Sequence, residues 1–337
     1  MLEKSINRNL LIFGLPFTIF IAMIFLAGSE YFQNNPDLIS IGITADILLT
    51  TPLLYSILIR KTQIPKTTIV PMIFIGLVLG YFILPSENQY YLNLFKSWAL
   101  PVIELGVIGY IIYKVRSAIN KFQETKTEHP DFFLALKNTC VELFPKRLVM
   151  PMAMEIGVFY YGFLNWKTRK LKMNEFTYHK QSGTMALLVT LIFLVIVETV
   201  VLHLLLNMWS SLAAWILSIL SLYTAIQIFG FLRSMPKRPI QLTNSALFLN
   251  YGIMAETTIQ LKDIAEIELS SKDLEKEDNT VKLSILGDLE SHNMIIHLKN
   301  DEEIIGLYGT RKTYRNIALY VDDSSRLKQM IMDRVNF

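Results

Sequence analysis

Six long apolar runs, almost free of charged residues, constrain the fold of this chain more than any other feature of its sequence. A helix needs about 20 consecutive apolar residues to cross the hydrocarbon core of a bilayer. The runs therefore predict an α-helical transmembrane bundle, and we expect the first run to be retained as a span rather than cleaved as a secretory signal. The predicted spans are residues 10–27, 38–59, 68–84, 98–113, 184–206 and 209–232.

The distribution of lysine and arginine predicts the orientation of these spans. With the N-terminus placed in the cytoplasm, the cytoplasmic connections hold 20 Lys and Arg residues and the outer connections hold only Lys96. Short cytoplasmic loops carry such an excess of positive charge in membrane proteins. We therefore expect the N-terminus and the C-terminal region to be cytoplasmic, with the lipid bilayer as the main partner.

One apolar segment does not fit this count. Residues 148–166 are hydrophobic enough to span, but basic residues flank both ends, including Arg147 and Lys167. A crossing here would place lysines outside and invert every later span. The flanking charges predict a re-entrant or interfacial helix within a cytoplasmic helical region, residues 114–183.

The C-terminal region, residues 239–337, differs from the predicted transmembrane domain, residues 1–232. Its hydrophobic pattern alternates, which indicates short strands, and an amphipathic helix after Asp323 ends the chain. The net charge of +3 is too small to indicate a nucleic-acid partner, and the single cysteine excludes a disulfide framework. The expected strands are residues 246–250, 257–261, 264–270, 281–286, 294–299, 304–308 and 316–321.

Two phrases in this region, RPIQLTNSALFLNYG and TTIQLKDIAEIEL, are similar to the opening strands of bacterial pleckstrin-homology-like domains. The resemblance implies a small β-barrel or sandwich with a C-terminal helix, acting as an interaction or homo-oligomerisation module. The whole chain resembles a group of uncharacterised bacterial multi-pass membrane proteins, in which a phrase like FTYHKQSG precedes a helix like the fifth span. That resemblance implies a bacterial inner (plasma) membrane location.

Ionisable side chains inside a span are costly, so each one is a functional candidate. Asp46, Glu104 and Glu198 are expected at a similar depth, roughly 9–14 Å below the outer interface at 1.5 Å per residue, with His203 above them. They predict a polar cavity that binds a cation, relays protons or holds a divalent metal such as Zn, Mn or Fe. The alternative is that each group is paired and fixes helix packing. The metal interpretation is weakened because Glu198 and His203 are five residues apart, a poor spacing for joint chelation.

Glu155 and His179 form a second candidate pair on the cytoplasmic side, near several aromatic residues. They predict either an active site at the membrane surface or, as the alternative, an interfacial anchor. We expect a non-enzymatic protein that binds or moves a small solute or ion, or assembles with a partner. The alternatives are a membrane-embedded enzyme acting on a lipid or isoprenoid, and a membrane sensor or scaffold whose β domain is the output.

Overall fold

The computed structural model describes residues 2–62, 64–124, 132–167, 170–272 and 279–334. These residues are mostly helical, and the chain divides into two compact units. The first unit comprises residues 1–125 and 135–149, and the second comprises residues 126–134 and 150–337. The predicted domain boundary between residues 232 and 239 lies inside the second unit, so the last two apolar helices belong to the same unit as the strands.

The first unit is helical. Two five-residue π-helical segments, Asp46–Thr50 and Phe95–Ala99, lie within otherwise α-helical stretches. Its core forms where α5 meets the first of these segments, because a Cβ at Gly76 would lie 2.5 Å from the Ile47 carbonyl oxygen. The helices of its N-terminal part, up to residue 125, are α1 (Leu2–Ala27), α2 (Glu30–Asn34), α3 (Pro36–Ala45), α4 (Thr51–Ile59), α5 (Ile69–Ile83), α6 (Tyr90–Leu94) and α7 (Leu100–Glu124).

Two helices follow α7 and lead into the second unit, which also holds a helical hairpin. They are α8 (Phe132–Leu143) and α9 (Lys146–Phe159), and α9 continues through a third π-helical segment, Tyr160–Leu164. The hairpin consists of α10 (Thr184–Asn207) and α11 (Ser211–Ser234). The Ser210 side chain caps α11 by accepting a hydrogen bond from the Ala213 amide.

Among the described residues, six helical stretches are long and apolar enough to cross a membrane. Five of them begin and end within about five residues of the predicted spans, whereas the fourth, predicted at 98–113, begins eight residues earlier, at Tyr90. The segment 148–166, predicted to be re-entrant or interfacial, is not among them. These stretches are Leu10–Ala27, Pro36–Ile59, Lys66–Ile83, Tyr90–Ser117, Thr184–Asn207 and Ser211–Lys237.

The strands form one eight-stranded open mixed sheet, in the order β1-β2-β3-β4-β7-β8-β6 with β5 paired to β7. Most neighbours are antiparallel, but β6 pairs with β8 in parallel. The strands are β1 (Glu175–Phe176), β2 (Ile240–Leu242), β3 (Ala246–Tyr251), β4 (Ala255–Gln260), β5 (Ile264–Glu268), β6 (Thr280–Lys282), β7 (Met294–Ile305) and β8 (Arg311–Leu319).

The prediction of a β-barrel is wrong, because the strands form an open sheet and not a closed one. The edge strands β1 and β6 are two and three residues long, too short to carry a ladder that would close the sheet. The two strands expected at 294–299 and 304–308 form the single strand β7, whose register against β8 shifts between His297 and Glu302. The terminal helix α12 (Ser324–Met332) is confirmed, since Asp323 caps it and Leu327 and Ile331 are buried.

Candidate functional site

The residues predicted to form an ion site are divided between the two units. Asp46 and Glu104 lie in the first unit, whereas Glu198 and His203 lie in the second. Asp46 is partly buried at the start of a π-helical segment, and Glu104 and Glu198 are exposed. In the part of the chain that the structure describes, no three His, Cys, Asp or Glu side chains lie close enough together to hold a metal ion. The shared acidic layer stays a prediction.

His203 has two packing partners on the neighbouring helix of the hairpin. Its Nδ1 atom lies 2.7 Å from Ser218 Oγ, and its ring packs edge-on against Trp215 with the ring centroids 5.2 Å apart. These contacts satisfy one ring nitrogen and join α10 to α11. They give His203 a clear role in helix packing.

Glu155 lies where α9 packs against the last turns of α11. Its Oε2 atom accepts a 2.6 Å hydrogen bond from Gln227 Nε2, which also donates to the Tyr223 hydroxyl at 2.7 Å. The two helices approach closely here, because a Cβ at Gly230 would lie 2.6 Å from Val158 Cγ1. Glu155 therefore bonds to α11, and its pairing with His179 stays a prediction.

His179 lies in residues 177–183, here called the connector segment, which joins β1 to α10. The Tyr178 hydroxyl accepts a 2.6 Å hydrogen bond from the Gly252 amide, and the Asp322 carboxylate accepts one of 2.9 Å from the Gln181 amide. Burial lowers the pKa of His179, although the Asp322 carboxylate opposes this shift. His179 Nδ1 has no hydrogen-bond partner among the described residues. The connector segment is thus attached to the sheet along its length.

A buried polar cluster beside the sheet is centred on Glu290, which is 4 % exposed. Its carboxylate accepts hydrogen bonds from the hydroxyls of Thr184 and Ser284, and one of 2.5 Å from the Tyr251 hydroxyl. Burial, and then the Glu290 charge, raise the pKa of Tyr251 well above its usual range, so its hydroxyl remains a donor. Because Thr184 is the first residue of α10, the carboxylate also lies at the positive end of a helix dipole. This cluster bonds the sheet to the hairpin.

Beside this cluster the open sheet leaves a cleft of about 490 Å³. It lies between β6 with its following turn and the region where β7 leads into β8. Ligand sites commonly fall between about 300 and 1,000 Å³ and combine apolar walls with a few polar groups. The apolar lining includes Ala255, Leu283, Ile304 and Leu307, and the polar lining includes Thr280, Lys282, Ser284, Asp288, Thr310 and Lys312.

Two lysines of the cleft differ in their charge environment. Lys282 Nζ is neutralised by Asp288 Oδ1 at 3.1 Å and also donates to the Gly287 carbonyl at 3.2 Å. Lys312 is exposed at the cleft and forms no ion pair within the described residues. Among the described residues, the cleft therefore presents apolar walls, hydroxyl groups and one positive charge without an ion pair.

One wall of the cleft is formed by residues 306–310, here called the cleft loop. Gly306, Leu307 and Thr310 line the cleft, whereas the Tyr308 amide donates a 2.9 Å hydrogen bond to Met154 Sδ on α9. Tyr308 adopts φ 54° and ψ 23°, a left-handed conformation that is unfavourable by roughly 1–2 kcal/mol for a residue with a Cβ. The loop holds this strained residue between the cleft and α9.

No family model, curated protein or solved structure matches the chain. Sequence patterns did not predict the Glu290 cluster, because Glu290 follows a Gly–Asp turn and resembles a solvated loop residue. The FTYHKQSG phrase was the available sequence signal for this region, because it contains the connector segment that leads to Thr184.

Proposed function

We propose that this chain is a membrane-anchored binding protein. Its open sheet takes a small anionic molecule with an apolar portion into the cleft, and binding is transmitted to the helical hairpin. Two connections between the cleft and the helices support this proposal. Ser284 lines the cleft and bonds to Glu290, which bonds to Thr184 of α10.

The second connection between the cleft and the helices runs through the wall formed by the cleft loop. The cleft loop bonds to α9 at Met154, and α9 bonds to α11 through Glu155 and Gln227. A ligand that moves either wall would therefore bias the position of one helix of the hairpin. This supports the sensor interpretation over transport along the predicted acidic layer.

The membrane placement is part of the proposal. The apolar helices are compatible with a membrane location, and the excess of lysine and arginine in alternate connections supports a cytoplasmic sheet in a bacterial plasma membrane. The pleckstrin-homology-like assignment stays a prediction from the sequence phrases.

The chemistry of the ligand follows from the lining. Lys312 supplies the positive charge, and the hydroxyls of Thr280 and Thr310 can donate to an oxyanion. The apolar residues would contact a hydrocarbon or aromatic portion, which contributes about 25 cal/mol per Å² buried. Phenyl phosphate is a water-soluble probe that carries both features.

Binding of phenyl phosphate to the purified full-length chain in detergent tests this proposal by calorimetry. We expect Lys312→Glu to weaken binding about tenfold or more, because a charge-assisted hydrogen bond contributes roughly 1.5–3 kcal/mol. Lys262→Glu is the matched control, since Lys262 is exposed on the same sheet but lies outside the cleft lining. Equal loss in the two variants would show that the effect is a general one of surface charge.

Amide hydrogen exchange tests the transmission. Saturating phenyl phosphate should slow exchange in the first turns of α10, from Thr184 to Leu188, and in the cleft loop. Slower exchange in the cleft lining and the cleft loop, with no change from Thr184 to Leu188, would leave a binding site without the proposed link to the helices.

A further inference from the structure

A second groove lies in the first unit, between the start of α5 and α7. Its volume is about 300 Å³, and its lining residues include Lys66, Thr67, Val70, Ile73, Gly106 and Tyr110. It is here called the lipid groove. It shares no residue with the cleft of the sheet, so it needs an explanation of its own.

The lipid groove is polar at one end and apolar along the rest of its length. Lys66 and Tyr110 lie at the cytoplasmic end in the proposed orientation, and Ile73 and Ile103 lie deeper. Residues 66 to 73 extend about 10 Å along the helix, at 1.5 Å per residue. A positively charged end followed by an apolar trough matches the chemistry of a lipid headgroup and its acyl chain.

The trough is open because α7 has a glycine there. A Cβ built on Gly106 would meet no atom within 4 Å, and the same is true of Gly109 one turn further along. Neither glycine is therefore required for close packing against another part of the described chain. Gly106 lines the groove, whereas Gly109 does not.

We propose that the lipid groove binds one anionic phospholipid from the cytoplasmic leaflet, with its phosphate against Lys66 and an acyl chain beside Gly106. Charge complementarity supports this occupant, because Lys66 is exposed and makes no ion pair within the described residues. Basic pockets between spans on the cytoplasmic side are suited to anionic headgroups. The proposal rests on the membrane orientation given above, and it is independent of the cleft.

Thermal unfolding of the purified full-length chain in detergent tests the proposal with three additives. Dioleoylphosphatidylglycerol should raise the unfolding temperature, dioleoylphosphatidylcholine should raise it less, and inorganic phosphate should have no effect. Lys66→Gln should weaken the apparent affinity for phosphatidylglycerol about fivefold. Lys61→Gln is the matched control, because Lys61 is exposed in the same connection but lies outside the groove lining.

A variant that fills the lipid groove provides a second test. Gly106→Leu should place its side chain in the trough without a clash and abolish the phosphatidylglycerol effect, while Gly109→Leu should retain it. Equal stabilisation by both lipids, or a full effect in Gly106→Leu, would overturn the proposal. Loss in both glycine variants together with a fall in oligomer mass would instead identify this face as a contact between two copies. Phenyl phosphate binding in the same variants reports separately on the cleft.

Discussion

The two ends of the α10–α11 hairpin differ sharply in their surroundings. At the end near the sheet, here called the sheet end, Thr184 and Leu188 are buried, and so is most of α11 between Ala225 and Ser234. At the far end, large apolar side chains are exposed. These include Val200, Leu204, Leu205, Trp209, Leu212 and Ile216.

The polar contacts follow the same division. The sheet end carries the Glu290 cluster and the bond between Gln227 and Glu155. The far end has the single bond between His203 and Ser218 among its described side-chain pairs joining the two helices. The specific side-chain hydrogen bonds of the hairpin are therefore concentrated at the sheet end, whereas the far end presents mainly apolar side chains.

The largest expected effect on the free energy of unfolding comes from adding a methyl group to Gly230 at the sheet end. In Gly230→Ala the new Cβ would lie 2.6 Å from Val158 Cγ1 and 2.8 Å from Val158 Cα, so α9 and α11 must move apart. We expect a loss of about 2–3 kcal/mol in the free energy of unfolding, measured by tryptophan fluorescence during thermal unfolding in detergent. Gly109→Ala, where the added Cβ meets nothing, should not be destabilised. An unaffected Gly230→Ala chain would mean that the close approach of the helices is not required.

A smaller effect is expected from the Glu290 carboxylate. Glu290→Gln keeps the shape but removes the charge that accepts hydrogen bonds from Thr184 and Tyr251, with an expected loss of about 2 kcal/mol. His203→Gln at the far end should lose less than about 1 kcal/mol, because a single side-chain hydrogen bond is affected. Chemical unfolding of both variants would compare the two ends directly. A larger loss for His203→Gln would reverse the comparison.

The smallest expected effect is a pH dependence from His179. Its pKa is lowered in the folded chain, so below the ordinary value of 6.5 the unfolded chain binds more protons and stability falls as pH falls. The contribution cannot exceed about 1.4 kcal/mol per pH unit for one proton. His179→Gln should reduce the dependence of the unfolding temperature on pH between about pH 6.5 and 5. Asp322 and Lys180, the charged neighbours of His179, remain unchanged in this variant. An unchanged slope would assign the acid sensitivity to other groups.

The helices were predicted well because their signal is local. The length and hydropathy of a run such as residues 184–206 are enough to predict a helix, and the structure has one at Thr184–Asn207. The strand Ala246–Tyr251 was also predicted closely, since its alternating pattern lies between clear turn residues. By contrast, β1 was missed, because a two-residue strand gains its hydrogen bonds from residues more than 60 positions away and leaves no periodicity.

The candidate site was harder to predict because its chemistry depends on distant pairings. Glu290 and Thr184 are separated by 106 positions, and nothing in the local sequence of either residue indicates the other. His203 was chosen because ionisable groups are rare in apolar helices, a rule that does not reveal that Ser218 lies opposite it. The closed barrel was expected from strand number, but closure depends on the lengths of the edge strands.

The position of β1 in the chain has a consequence for biosynthesis. β1 precedes the hairpin and pairs with β2, which follows it, through Glu175 with Gln241 and Phe176 with Ile240. The ribosome must therefore complete both apolar helices before this ladder can form. A chain truncated within the hairpin would therefore lack the partner strand of β1 and could not form this part of the sheet.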